Sequence, residues 1–196
     1  MSELLLRCAG ALLALALSGC GMPQPAFKNT DVTGTDCCRD FRLSDHNGNT
    51  RTLADFRGKA VVIFFGYTQC PDVCPTTLAE LKSALAELGP DAKRVQVLFV
   101  TLDPERDTRE LLANYVPAFD AGFLGLYGDL QTTARTAKEF RVFYQKHPGP
   151  TAASYTLDHT AGSYVFDPRG RVRLFVRYGG DGGANLVSDL RALLDE

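Results

Sequence analysis

The chain has 196 residues, 45% of them hydrophobic and 22% charged, with a formal net charge of −2. That length suits one well-packed domain with an appendage and leaves too little for two ordinary domains, and the composition excludes a disordered or collagen-like chain. There is no dense Lys/Arg block of the kind a nucleic-acid binder carries as a basic stripe, so no nucleic-acid partner is expected, and three His and six Cys become the informative residues.

The first stretch does not belong to the fold. Residues 1–7 hold one acidic and one basic side chain, Glu3 and Arg7, and residues 8–17 are all apolar or small. Such a run is too short for a spanning helix, which needs about 20 apolar residues, and reads as an export signal. Leu17-Ser18-Gly19-Cys20 resembles a bacterial lipobox, in which Cys20 receives diacylglycerol on its sulfur and becomes the mature N-terminus. The alternative is an ordinary signal peptide or a retained anchor, with Cys20 incidental. The expected organisation is a lipoprotein signal peptide over 1–19, a lipidated N-terminus and tether over 20–35, and one domain over 36–196. Pro23, Pro25 and Gly34 suit the tether. No later segment is long and apolar enough to span a bilayer, so the domain is expected on the periplasmic side of a bacterial membrane. Outside the cytoplasm disulfides persist, and free thiols need a reason to exist.

Alternation at 41–43 and 50–53, around the turn residues 45–49, predicts a leading β-hairpin. Residues 60–66 form an unbroken apolar run, as in a strand buried on both faces. Leu78, Leu81, Leu85 and Leu88 then recur at helical spacing, predicting a helix over 76–88 stopped by Gly89-Pro90. A second buried strand follows at 95–102. Residues 107–116 read as a helix ended by Pro117, 124–127 as a short strand, 130–140 as a helix, and 147–153 as a loop. Strands at 162–166 and 171–176 make a hairpin through Asp167-Pro168-Arg169-Gly170, and 186–194 supplies the final helix. Two parallel strands joined by helical crossovers, then a hairpin and a closing helix, make an α/β, thioredoxin-like fold with an N-terminal β-hairpin extension.

The loop after the first buried strand reads Cys70-Pro71-Asp72-Val73-Cys74-Pro75. Ligand sites are expected at the carboxyl ends of parallel strands. Pro75 fits the first helical position, where its missing N–H costs nothing. Cys74 would then lie beside the helix N-terminus, which lowers a thiol pKa, and a four-residue separation on helical backbone brings both sulfurs to one face. Three readings stand: a structural disulfide closing a small loop, a redox pair whose three-residue spacer departs from C-x-x-C, and a metal site, since two soft thiolates with an imidazole suit Cu(I). Zinc would call for a fourth ligand that no motif supplies. Among the imidazoles, His46 falls in the leading hairpin turn as a surface polar residue, His147 precedes Pro148-Gly149-Pro150, and His159 stands immediately before a strand. On chain pattern alone each is a surface or core histidine as readily as a ligand.

Cys70-Pro71-Asp72-Val73-Cys74-Pro75, the run 101–108 (TLDPERDT), Asp158-His159-Thr160 with Tyr164, and Phe166-Asp167-Pro168-Arg169-Gly170 together resemble the Sco/SenC family, as does the lead-in Asp31-Val32-Thr33-Gly34. The resemblance runs from about residue 28 to the C-terminus. It implies a thioredoxin fold that binds copper through Cys70, Cys74 and His159, with Asp103 in the shell behind the ligands or facing a partner. It also implies a metallochaperone role in building the dinuclear copper centre of cytochrome c oxidase, by copper delivery, by reduction of the partner's thiols, or by both. The implied partners are a copper-accepting oxidase subunit and another thiol-disulfide or copper-carrying protein. Oxidase assembly favours the inner membrane, although Gly21 after Cys20 is not the Asp linked to retention there. No Pro stands beside His159, as the cis-Pro of thioredoxin-type oxidoreductases would, and this favours metal binding over general disulfide exchange. The alternative function is a thiol–disulfide oxidoreductase that reduces a copper-site partner, and a peroxiredoxin-like peroxidase is a third reading. Cys37-Cys38 matches no motif of the family. It reads as two half-buried small apolar residues, as a strained vicinal disulfide, or as an accessory thiol site.

Overall fold

The computed structural model describes residues 26–151 and 154–196. The expected signal peptide and the expected lipidation site, Cys20, lie outside the described residues. An eight-stranded sheet runs in the order β1-β10-β9-β4-β5-β6-β2-β3. Its strands are β1 (Thr30–Asp31), β2 (Leu43–Asp45), β3 (Thr50–Arg51), β4 (Ala60–Gly66), β5 (Val95–Thr101), β6 (Leu124–Tyr127), β9 (Ser163–Phe166) and β10 (Val172–Val176). The centre is parallel, β4 with β5 and β5 with β6, while β9 pairs antiparallel with β4. Every residue of β4 is buried, as its uninterrupted apolar run requires.

Helices α1 (Val73–Leu88) and α4 (Gly182–Leu194) pack on one another, α4 also lies against β4 and β10, and α2 (Arg109–Tyr115) lies against β6. Neighbouring residues of a strand face opposite sides of the sheet. Phe65 accordingly meets Phe140, at the end of α3 (Leu130–Glu139), with ring centroids 5.2 Å apart. Phe64 meets Phe99 and Tyr178 on the other face. The cysteine loop opens on the Phe64 face.

The leading hairpin forms where expected and joins the sheet through β2 and β6. Its turn is organised by the buried Asp45, whose carboxylate accepts from Asn47 N–H, Asn49 N–H and Arg51 Nε at 2.8–2.9 Å. His46 is not the surface residue its turn position suggests. It is 7% exposed, and its Nδ1 accepts the Gly125 N–H at 3.0 Å. Burial lowers its pKa, outweighing the opposite pull of Asp45, so the ring serves as a neutral acceptor.

Three further differences from expectation bear on the site. Helix α1 begins at Val73 rather than 76, with Asp72 as its N-cap residue, so Pro75 is the third helical residue and not the first. The misplacement costs no hydrogen bond, because the first four N–H groups of a helix have no intrahelical acceptor. Helix α2 starts at Arg109, since Thr108 caps it by accepting from Leu111 N–H and frees Asp107 to turn inward. The stretch read as a loop is flanked by a second, two-stranded sheet that the reading omits, β7 (Tyr144–His147) paired with β8 (Thr156–His159). Its strands carry little apolar alternation, which is why the pattern misses them. Residues 30–31, within the stretch read as tether, add strand β1 to the edge beside β10. Among the described residues no helix is long and apolar enough to cross a membrane.

Candidate metal centre

Cys70 and Cys74 flank the start of α1 at the carboxyl end of β4. Cys74 is fully buried and Cys70 partly exposed. The Cys74 N–H points at the Cys70 sulfur from 3.5 Å. Hydrogen bonding from the Cys74 thiol holds the Cys70 pKa down at about 5. The Asp72 and Cys74 backbone N–H groups and the neighbouring His159 add to this, against the opposing effect of burial. The same hydrogen bond, with burial behind it, pushes the Cys74 pKa up. One proton thus serves two sulfurs, on Cys74 with Cys70 as the thiolate. Gly66 makes room for this arrangement, since a Cβ there would stand 2.7 Å from Cys74 Sγ and 3.0 Å from the Phe99 ring.

The third group arrives on the second sheet. His159 ends β8, opposite Tyr144, and its Nε2 lies 3.5 Å from Cys74 Sγ. Its Nδ1 is 3.1 Å from the Thr160 carbonyl. A carbonyl only accepts, so Nδ1 carries a proton, which leaves Nε2 as the nitrogen that faces Cys74 Sγ. The edge-on rings of Phe64 and Tyr67, each 6.1 Å away between centroids, wall the imidazole in. The two sulfurs and an imidazole nitrogen all fall within 4.8 Å of one another, the one such donor group among the described residues. His147 is not brought to it, its Nε2 lying 2.9 Å from the Asp158 carboxylate, and His46 is engaged with Gly125.

Asp103 does not join the donor group. It is 3% exposed, accepts the Tyr155 hydroxyl at 2.6 Å and pairs with Arg106. Arg106 in turn donates to the Tyr155 carbonyl at 2.9 Å and to Gln69 Oε1 at 3.2 Å, and its guanidinium lies 3.5 Å from the centroid of the Tyr155 ring. The pair therefore ties the residue before Cys70 to the approach of β8. Asp107 holds the same loop from beneath, accepting from Thr68 N–H at 3.0 Å, Thr68 Oγ1 at 2.6 Å and Thr101 Oγ1 at 2.6 Å. Burial raises its pKa against these hydrogen bonds. Arg106, Asp107, Tyr155 and Gly66 were not singled out from sequence. The first two lie inside the run 101–108 and could have been weighed there, but nothing local marks Tyr155.

A family model described as SCO1/SenC matches residues 30–195. The chain belongs to the SCO1/SenC family. It is 41% identical over 141 residues to the mitochondrial protein SCO2 homolog of Bos taurus, covering 71% of this chain and 52% of that one. The chain thus spans about half the length of the curated relatives it matches. Among solved SCO1/SenC relatives, Bradyrhizobium japonicum ScoI with copper bound superposes with TM-score 0.71 at 39% identity, over 78% of this chain and 96% of that one. Apo Sco1 from Thermus thermophilus superposes with TM-score 0.74 at 41% identity, over 86% and 97%. The fold is thioredoxin-like, as the order of elements indicates.

Proposed function

We propose that the chain is a copper metallochaperone that holds Cu(I) on Cys70, Cys74 and His159 and assists assembly of the copper centre of cytochrome c oxidase. The observation that carries this reading is the convergence of two sulfurs and one imidazole nitrogen within 4.8 Å. Two thiolates and a neutral nitrogen match the soft, low-coordinate preference of Cu(I). The binding of copper to ScoI of Bradyrhizobium japonicum supports the same assignment. Cys70 supplies a ready thiolate and Cys74 gives up its proton on loading, so affinity falls as pH drops. Cargo leaves by ligand exchange, the acceptor's thiolates replacing Cys70 first because it is the exposed member of the pair. Asp103 and Arg106 act as positioning residues for the cysteine loop and for β8, which carries His159.

The test is anaerobic Cu(I) titration of reduced protein against a competing chelator. One ion per chain is expected, abolished in Cys70→Ala/Cys74→Ala and weakened in His159→Ala. Equal retention by the double variant would remove the site.

A second reading, a thiol–disulfide oxidoreductase acting on a partner's copper-ligand cysteines, draws on the contrast between an exposed low-pKa Cys70 and a buried Cys74. Cys70 would attack the partner's disulfide, and Cys74 would then release the partner by closing the Cys70–Cys74 bond. It calls for a mixed disulfide trapped by Cys74→Ala, and no adduct would count against it. The further reading is a lipoprotein signal over 1–19 and diacylglycerol on Cys20, with the domain on the periplasmic face, at the inner membrane where oxidase assembly takes place; the tether is shorter than the expected 20–35, because residues 30–31 lie in the sheet. Metabolic labelling with a fatty-acid analogue is expected to mark the protein and not Cys20→Ala.

A further inference from the structure

The second cysteine pair belongs neither to the metal-binding loop nor to the hairpin opposite it. On extended chain, adjacent side chains point to opposite sides, which would keep the Cys37 and Cys38 sulfurs apart. Cys38 instead has φ +61°, in the left-handed region that non-glycine residues seldom occupy. That turn puts both sulfurs on one side, 2.7 Å apart as free thiols. Neighbours at the end of α3 impose it. Cys38 N–H donates to the Glu139 carbonyl at 3.0 Å, Arg39 N–H to Glu139 Oε1 at 2.9 Å, and Arg141 to the Asp36 carbonyl at 3.0 Å. A disulfide is about 2.04 Å long, so bonding asks for a further approach of roughly 0.7 Å. Cys37 is 9% exposed and Cys38 1%. Burial, then the contact with Cys37, pushes the Cys38 thiol up, which leaves Cys37 as the sulfur an incoming reagent meets.

We propose that Cys37 and Cys38 form a second redox site, interconverting between a dithiol and a vicinal disulfide with a small-molecule disulfide as oxidant. The Cys37 thiolate attacks one sulfur of the oxidant, whose other half leaves as a thiol, and a mixed disulfide forms on Cys37. Cys38 then loses its proton and attacks Cys37 Sγ, closing the vicinal bond and expelling the second thiol. The pair gives up two electrons and two protons, and the oxidant takes up both. The confined position admits a small disulfide more readily than one carried on a protein.

Full-length Cys70→Ser/Cys74→Ser and the wild-type protein are equilibrated with glutathione and glutathione disulfide at graded ratios, alkylated and digested with trypsin. Cleavage after Lys28 and Arg39 releases residues 29–39, which hold Cys37 and Cys38 and no other cysteine. With rising disulfide the doubly alkylated peptide is expected to give way to an unalkylated one, lighter than the dithiol by two hydrogens, and to return when glutathione is restored. Double alkylation at every ratio, or glutathione adducts that never close internally, would overturn the proposal. Copper does not enter this readout, because the peptide contains none of Cys70, Cys74 and His159, and the wild-type arm guards against misfolding of the double variant.

Discussion

The thiol wall and the imidazole wall of the candidate centre are built in different ways. Cys70 and Cys74 ride on the junction of β4 and α1, where a strand with every residue buried feeds a helix packed against α4. His159 closes a two-stranded sheet separate from the main one, made of strands with mixed exposure. Its polar ties to the domain run through Tyr155 to Asp103 and Arg106, and its apolar ones are fewer, the buried Leu157 and the rings of Phe64 and Tyr67 against His159. Apolar packing dominates one wall, whereas the other combines a smaller apolar contact with hydrogen bonds. Since resistance to local opening follows buried apolar contact, the imidazole wall is expected to open first and the thiols to stay in place. That order suits the proposed release of cargo.

The largest effect should come from the packed wall. Phe99→Ala removes a fully buried ring that meets Phe64 and Tyr115, and it is expected to cost about 3–5 kcal/mol in denaturant unfolding. A loss below about 1 kcal/mol would mean that packing does not hold this side. Next is Gly66→Ala, whose Cβ would sit 2.7 Å from Cys74 Sγ. Overpacking of this kind costs about 1–3 kcal/mol, and copper retention should fall with it because the displaced atom is a proposed ligand. Unchanged retention would show that the Cys74 sulfur is free to move aside.

The polar wall is sharpened by Asp103→Asn. Weakening a charge-assisted bond to a buried partner costs about 1–3 kcal/mol, and the loss should be local. Amide exchange should quicken across 144–147 and 156–159 while 60–66 and 95–101 stay protected, with Cu(I) affinity down about tenfold or more, as for other supporting residues of metal sites. Equal acceleration in β4 would erase the distinction between the walls. The smallest effect concerns acid. Asp45 is buried, which by itself raises its pKa, but the Asn49 N–H and then Arg51 outweigh this and lower it. A lowered folded pKa contributes stability that is present above the unfolded value near 3.9 and is lost as pH falls through the folded one. Asp45→Asn should therefore flatten the acid limb of the stability–pH curve in that window, and an unaltered limb would remove Asp45 from the account.

The same contrast explains what could be read in advance. The unbroken apolar runs at 60–66 and 95–102 admit little but buried strands, and the leucines of α1 repeat at a helical period, so the elements of the thiol wall are legible, although the first turn of α1 and the role of Gly66 are not. The hairpin that carries His159 is not, because Tyr144-Gln145-Lys146-His147 has no period-two apolar pattern and its pairing with β8 is set by tertiary hydrogen bonds. Chain pattern therefore could not separate His159 from His46 and His147, and the family resemblance did. His46 misleads for a related reason, since a turn position says nothing of the Gly125 amide that buries it. Asp103 is legible as a residue of importance, while its partner Tyr155 lies 52 positions away and leaves no local mark.

The central claim is that one imidazole joins two sulfurs on the metal. X-ray absorption at the copper edge of the anaerobically loaded protein, beside His159→Ala, tests it most directly. Two sulfur scatterers and one nitrogen are expected in the parent, with the nitrogen lost in the variant. A sulfur-only shell identical in both proteins would contradict the account.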